Sequence, residues 1–158
     1  MAHWLLKSEP DVYGIDHLAK APKRTTAWEG VRNYQVRNFL RDDFRKGDRG
    51  FFYHSSCALP GIAGIVKVVR AGYPDASAWD RKNQYFDAGS TREEPRWYCV
   101  DVQLVRRSKR IVTLDELRAH GTRELAGLPL LMRGSRLSIT PVNESQWRFI
   151  LSLEPSLQ

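Results

Sequence analysis

Cysteine is nearly missing from this 158-residue chain, and the two that occur, Cys57 and Cys99, are too few for a disulfide framework. The opening segment, Met1 to Pro10, holds too short an apolar run for a secretory leader, and nothing approaches the roughly 18 apolar residues of a membrane span. A reducing compartment without a membrane partner is the expectation. The four histidines, His3, His17, His54 and His120, are scattered, so zinc-ligand pairs are absent. There is no phosphate loop ending in Lys-Ser/Thr, no dinucleotide fingerprint and no nucleophile elbow. Cys57 follows His54 by three residues, a spacing that places the two on opposite faces of a strand and disfavours proton sharing. Acidic residues are also the minority: 18 Asp and Glu stand against 25 Lys and Arg, leaving +7 with histidine neutral. That balance favours an anionic partner, and because 18 of the cations are arginine it suits planar contact with phosphate or a base edge.

Hydrophobic residues make up 42% and charged residues 27%, composition near that of ordinary globular domains, so one packed core is expected. Repeats and low-complexity tracts are absent. The turn-rich stretch from Tyr73 to Arg96 carries Trp79, Tyr85 and Phe86, which marks a folded excursion and not a linker between domains.

The pattern predicts a short strand at Trp4–Leu6 closed by Pro10, and a brief helix over Ile15–Lys20. A second helix starts at Asn33 as N-cap, with Val36, Phe39, Leu40 and Phe44 at helical spacing, and stops at Gly47-Asp48. Strands are expected over Arg49–Ser55, Ile62–Val69, Trp97–Val105 and Leu137–Ile139. The run Arg106-Arg-Ser-Lys-Arg110 is read as a loop. Thr113 to Glu116 has capping-box spacing before a short helix, and Asn143 opens the last one, with Trp147, Ile150 and Leu151 on one side. Strands and unequal helices in this order predict an α+β fold: a curved mixed sheet closing toward a small barrel, flanked by short helices.

Chemistry concentrates between Ala27 and Ser55. Trp28-Glu-Gly-Val-Arg-Asn-Tyr34 places an aromatic ring, a carboxylate, an arginine and an amide in one loop before a helix. Trp28 or Tyr34 could stack on a flat ring, and Asn33 offers donor and acceptor to a base edge, although it equally suits helix capping. Arg37, Arg41 and Arg45 form a stripe able to track phosphates, although Asp42 and Asp43 beside it suit a solvated face. Trp4 and Trp147 sit on patterned elements and are expected in the core; Trp28, Trp79 and Trp97 lie among polar neighbours.

The segments Trp4-Leu-Leu-Lys-Ser-Glu-Pro10, Trp28 to Asn38, Phe52-Tyr-His-Ser-Ser56, Gly61-Ile-Ala-Gly64, Trp97-Tyr-Cys-Val-Asp101 and Leu130 to Ser138 together resemble the EVE domain family across almost the whole chain. Val36 departs from the family pattern, where a small residue is expected. The resemblance implies a PUA-like pseudo-barrel flanked by helices, forming one domain over residues 1–158. It also implies a non-catalytic reader of modified bases, such as a modified cytosine or adenine, in DNA or RNA. Carried over, Lys7, Ser8 and Glu9, the segment with Trp28, Gly30, Arg32, Asn33 and Asn38, and Tyr53, His54 and Ser55 would line one cleft. Trp79 and Trp97 are added as further cage rings, and Arg37 and Arg41 as phosphate contacts. A monomer without cofactor or metal is expected, cytoplasmic in a bacterium and nuclear in a eukaryote. Two alternatives stand beside it: a hydrolase pairing Glu9 or Glu29 with His54, and a general RNA-binding module relying on its basic surface.

Overall fold

The computed structural model describes residues 1–158. In chain order the elements are β1 (His3–Ser8), α1 (Pro10–Tyr13), α2 (Ile15–Lys20), β2 (Thr25–Ala27), α3 (Tyr34–Asn38), β3 (Arg49–His54), β4 (Gly61–Pro74), β5 (Tyr98–Thr113), α4 (Leu114–Arg118), β6 (Ile139–Val142) and α5 (Glu144–Leu153). The six strands make one mixed sheet in the order β2-β5-β4-β3-β1-β6, with only β1 and β3 parallel. The sheet is open, with β2 and β6 as its edges. Its bending arises in the long β4–β5 pair, where four register shifts accumulate twist.

Both faces of the sheet are covered, and strand alternation decides which side chain goes where. Trp4, Leu6 and Phe52 face one cluster with Leu18, Val36, Leu40 and Phe44, supplied by α2, α3 and the segment after α3. Leu5, Phe51 and Tyr53 face the other with Leu117, Leu128, Trp147 and Ile150, beneath α4 and α5. Trp4 and Trp147 are therefore core residues, as their patterned positions predict. No helix is long and apolar enough to cross a membrane.

The helix predicted from Asn33 forms as α3 and continues as one wide π-type turn over Phe39–Asp43. It ends at Phe44, whose backbone is extended, ahead of the turn in which Gly47 adopts φ +95°, a conformation costly for other residues. Asp48, next in sequence, is buried and accepts hydrogen bonds from the Arg45 and Ala2 amides and the Trp4 indole, closing the turn onto β1. Asn143 and Gln146 form the reciprocal cap of α5, and Thr113 caps α4.

Several boundaries differ from the sequence reading; β4 runs on to Pro74 where a strand over Ile62–Val69 is expected, and Pro10 opens the short helix α1 after β1. Arg106–Arg110 is not a loop but part of β5: Arg106 and Arg107 pair with Ile65 and Gly64 of β4, and after a register shift pairing resumes at Val112 and Thr113, opposite Ile62 and Gly61. The last strand is Ile139–Val142 and not Leu137–Ile139, since its register is set by antiparallel pairing with His3–Leu6. The three-residue β2 is too short for periodicity to reveal and exists through pairing with Asp101–Gln103.

Candidate functional site

A cleft of about 650 Å³ opens where β1 ends and the Trp28 loop leaves β2. Parallel pairing of β1 with β3 carries Lys7, Ser8 and Glu9 to this edge, and the Lys7 amide donates to the Ser138 carbonyl from beyond β6. Opposite them the Trp28 amide donates to the Val100 carbonyl (2.7 Å), anchoring the loop as it departs from the sheet. Lys7, Ser8, Glu9, Trp28, Gly30 and Arg32 all line the cleft, so segments that are distant in sequence converge as expected. Trp28 is half-buried, its ring edge-on to Phe52 at 5.6 Å, with the remainder available to the cleft.

The excursion after β4 completes the wall. Tyr85 and Gln84 line it, joined by Tyr13 and Val12 of α1. Gly30 has φ +84°, and a Cβ there would lie 2.6 Å from the Tyr85 ring, so glycine is required both for the turn and for the close ring. Arg32 fastens the excursion: its Nη2 and Nε donate to the Tyr85 carbonyl at 2.6 and 3.1 Å. Its guanidinium also lies over Tyr85 and Trp97, 5.6 and 5.3 Å from the ring centroids.

Beneath this wall lies Asp75, a carboxylate with 1% of its surface exposed. It accepts from the Gly30 amide (2.8 Å), Arg32 Nη1 (3.2 Å), the Ser77 amide (2.9 Å) and the Ser77 hydroxyl (2.6 Å). Burial alone would raise its pKa, but the hydrogen bonds from Ser77, Gly30 and Arg32 outweigh that and hold it below the usual carboxylate range. Glu29, on the rim, is pushed upward by burial and by repulsion from Asp75, with Arg32 opposing. Lys7 is pushed downward by burial.

The other residues singled out in the sequence lie elsewhere. The Asn33 side chain accepts from the Val36 amide as the N-cap of α3 (3.0 Å). Asn33→Ala is expected to lower stability by about 1 kcal/mol in urea denaturation, with Asn33→Ser recovering most of it. Asn38 is exposed and accepts from Arg37 Nε, while Arg37 also donates to the Arg96 carbonyl. Arg41 is held in a bidentate pair with Asp42 at 2.7 and 2.9 Å, on an exposed surface where such a pair is worth little. Trp97 is buried, donates from its indole to Asp87 (2.6 Å) and stacks on Tyr34. Trp79 packs under Arg92. Neither of these two rings lines the cleft.

Tyr53, His54 and Ser55 do not act as one group. Tyr53 is register partner to Lys7 and, with Ser55, faces a second cavity of about 550 Å³. His54 alternates to the other face, where its Nε2 accepts from the Ile15 amide (3.1 Å) and burial pushes its pKa down. The lone pair a general base would use is thus engaged in tying β3 to α2.

Sequence reasoning did not single out Asp75, Tyr13 or Tyr85 for the site. Asp75-Ala-Ser77 has the spacing of an Asx turn, which is a local signal, but nothing local indicates that Gly30 and Arg32 arrive at the same carboxylate.

Residues 2–153 match the EVE domain. Thymocyte nuclear protein 1 of Gallus gallus is 46% identical over 166 aligned residues, covering 96% of this chain and 68% of that protein. The crystal structure of the human THYN1 protein in complex with 5-methylcytosine-containing DNA superimposes with a TM-score of 0.92, at 42% identity and 97% coverage of each chain. A Pseudomonas syringae protein of known structure matches at TM-score 0.90 and 47% identity, over 96% of this chain and 99% of that one. With a match from end to end in both sequence and fold, the chain belongs to the EVE domain family.

Proposed function

We propose that this protein is a non-catalytic DNA-binding domain that reads a modified base, of the 5-methylcytosine class, in the cleft between Trp28 and Tyr85. The observation that carries the reading is the cleft itself. It is wide enough for one heterocycle and walled by aromatic rings, and it sits in a fold shared with a human protein crystallised with 5-methylcytosine-containing DNA. A base rotated out of the duplex leaves its stack and recovers part of that energy against an aromatic ring. Glu9 and Glu29 supply carboxylates able to accept from the exocyclic amino group of cytosine, and Lys7 supplies donors for its ring carbonyl, while the Ser8 hydroxyl, which donates to the Tyr13 carbonyl, is left as an acceptor. Val12 and Val31 provide apolar surface for a methyl group. His54 does not line the cleft and its Nε2 is engaged by the Ile15 amide, so the histidine that the hydrolase alternative pairs with Glu9 or Glu29 is not at the site, which supports binding over hydrolysis. Action on genomic DNA fits the cytoplasm of a bacterium or the nucleus of a eukaryote.

Binding of two duplexes that differ only in one 5-methyl group, measured by fluorescence anisotropy at physiological salt, tests this reading. A methyl group in a fitted apolar pocket is worth about 1–3 kcal/mol, so a preference of roughly tenfold or more for the methylated duplex is expected. Equal affinity for the two duplexes contradicts it.

A further inference from the structure

The second cavity, beside the cleft, has a different character. It lies between the end of β3, the start of α4 and the loop through Arg133, and Lys7 forms a wall common to it and the cleft. Its lining includes three cations, Lys7, Arg118 and Arg133, and no carboxylate. Arg118 has 64% of its side chain exposed, and its nearest acid, Asp115, is 4.0 Å away and almost fully in water. Lys7 and Arg133 make no ion pair. Among the lining residues Ser55, Ser56 and Tyr53 add hydroxyl groups, and the Tyr53 phenol, pushed up to about 12 by burial, stays protonated as a donor at neutral pH.

Uncompensated cations grouped with hydroxyl donors, in a concavity free of acids, match an anion with several acceptor oxygens. Because Lys7 borders both cavities, a polyanion leaving the cleft on that side meets this one directly. We propose that the second cavity is a phosphodiester subsite, taking the backbone of the DNA strand whose base occupies the cleft. This rests on the reading of the cleft as a base site, and the test is arranged so that the two can fail separately.

The experiment compares wild type with the Arg118→Ala/Arg133→Ala variant on methylated and plain duplexes across a salt series. Both residues are exposed, so the thermal unfolding midpoint is expected to be unchanged. The variant should weaken binding to both duplexes by the same factor and flatten the slope of log K against log salt by about 0.9 for each phosphate no longer neutralised. Replacing the phosphates flanking the methylated base, one at a time, by neutral methylphosphonates should weaken wild type at one linkage and leave the variant unaffected there, since both changes remove the same interaction. Unchanged affinity and slope in the variant, or full additivity of the two changes, overturns the subsite. Broadening of the ³¹P signal of inorganic phosphate by wild type, with DNA affinity untouched in the variant, assigns the cavity to a free anion and likewise overturns it. Equal affinity of wild type for the two duplexes removes the base-reading function alone, and the salt slopes still decide the subsite.

Discussion

Asp75→Ala is expected to destabilise the protein by about 3 kcal/mol in urea denaturation, although Asp75 lies beneath the cleft and not in its lining. The substitution removes four hydrogen bonds at once and leaves the half-buried Arg32 guanidinium without its carboxylate. Asp75→Asn keeps the shape and isolates the charge. The sign of the pH dependence follows from the direction of the shift. Asp75 is held below the value of 3.8 that it takes when unfolded, so its contribution is fully present above that value. It is lost as pH falls further, through the folded-state pKa. Wild-type stability should therefore decline on acidification below about pH 4, and Asp75→Asn should remove part of that slope. The same variants should lose the preference for a methylated duplex, because Gly30 and Arg32 then no longer fix Tyr85.

Trp28→Ala is expected to weaken binding of a methylated duplex by about 1–3 kcal/mol, roughly tenfold to a hundredfold, and to erase most of the discrimination against the plain one. Its cost to folding is expected at about 2 kcal/mol, below the roughly 3–5 kcal/mol of a fully buried aromatic, because half-burial against Phe52 makes the ring only partly a core residue. Trp28→Phe retains a face for stacking and should fall between the two. The slope against salt should stay as in wild type, since an indole contacts no phosphate. Anisotropy titrations with circular dichroism as the folding control measure all three quantities. A Trp28→Ala protein that binds methylated DNA as tightly as wild type contradicts the role given to this ring.

Local signals accounted for the helices well. Ile15–Lys20, the Asn33 cap and the Thr113 and Asn143 caps are all written in nearby residues, and the structure realises each of them. The α+β, PUA-like architecture and the convergence of Lys7–Glu9 with Trp28–Arg32 were likewise legible, the latter through the EVE resemblance and not through spacing. What stayed hidden depends on pairing across the fold. The edge strand β2 has three residues, and the basic tract of β5 reads as a loop until β4 is placed beside it. Alternation along β3 separates Tyr53 from His54, a division that a grouped motif conceals. Trp79 and Trp97 sit among polar neighbours in sequence yet turn away from the cleft, because Arg92 and Asp87 engage them where they pack. Tyr85 takes the place at the wall, held through its carbonyl by Arg32, a link that no side-chain motif encodes.

Entry of a modified base into the cleft beside Trp28 is the central claim. A duplex carrying one ¹³C-labelled 5-methyl group on cytosine, titrated with the protein and followed by NMR, tests it most directly. The methyl resonance is expected to leave its duplex position and to show nuclear Overhauser contacts to the indole protons of Trp28, contacts that vanish with Trp28→Ala. A methyl resonance that keeps its duplex shift, with contacts only to neighbouring bases while the protein is bound, contradicts the claim.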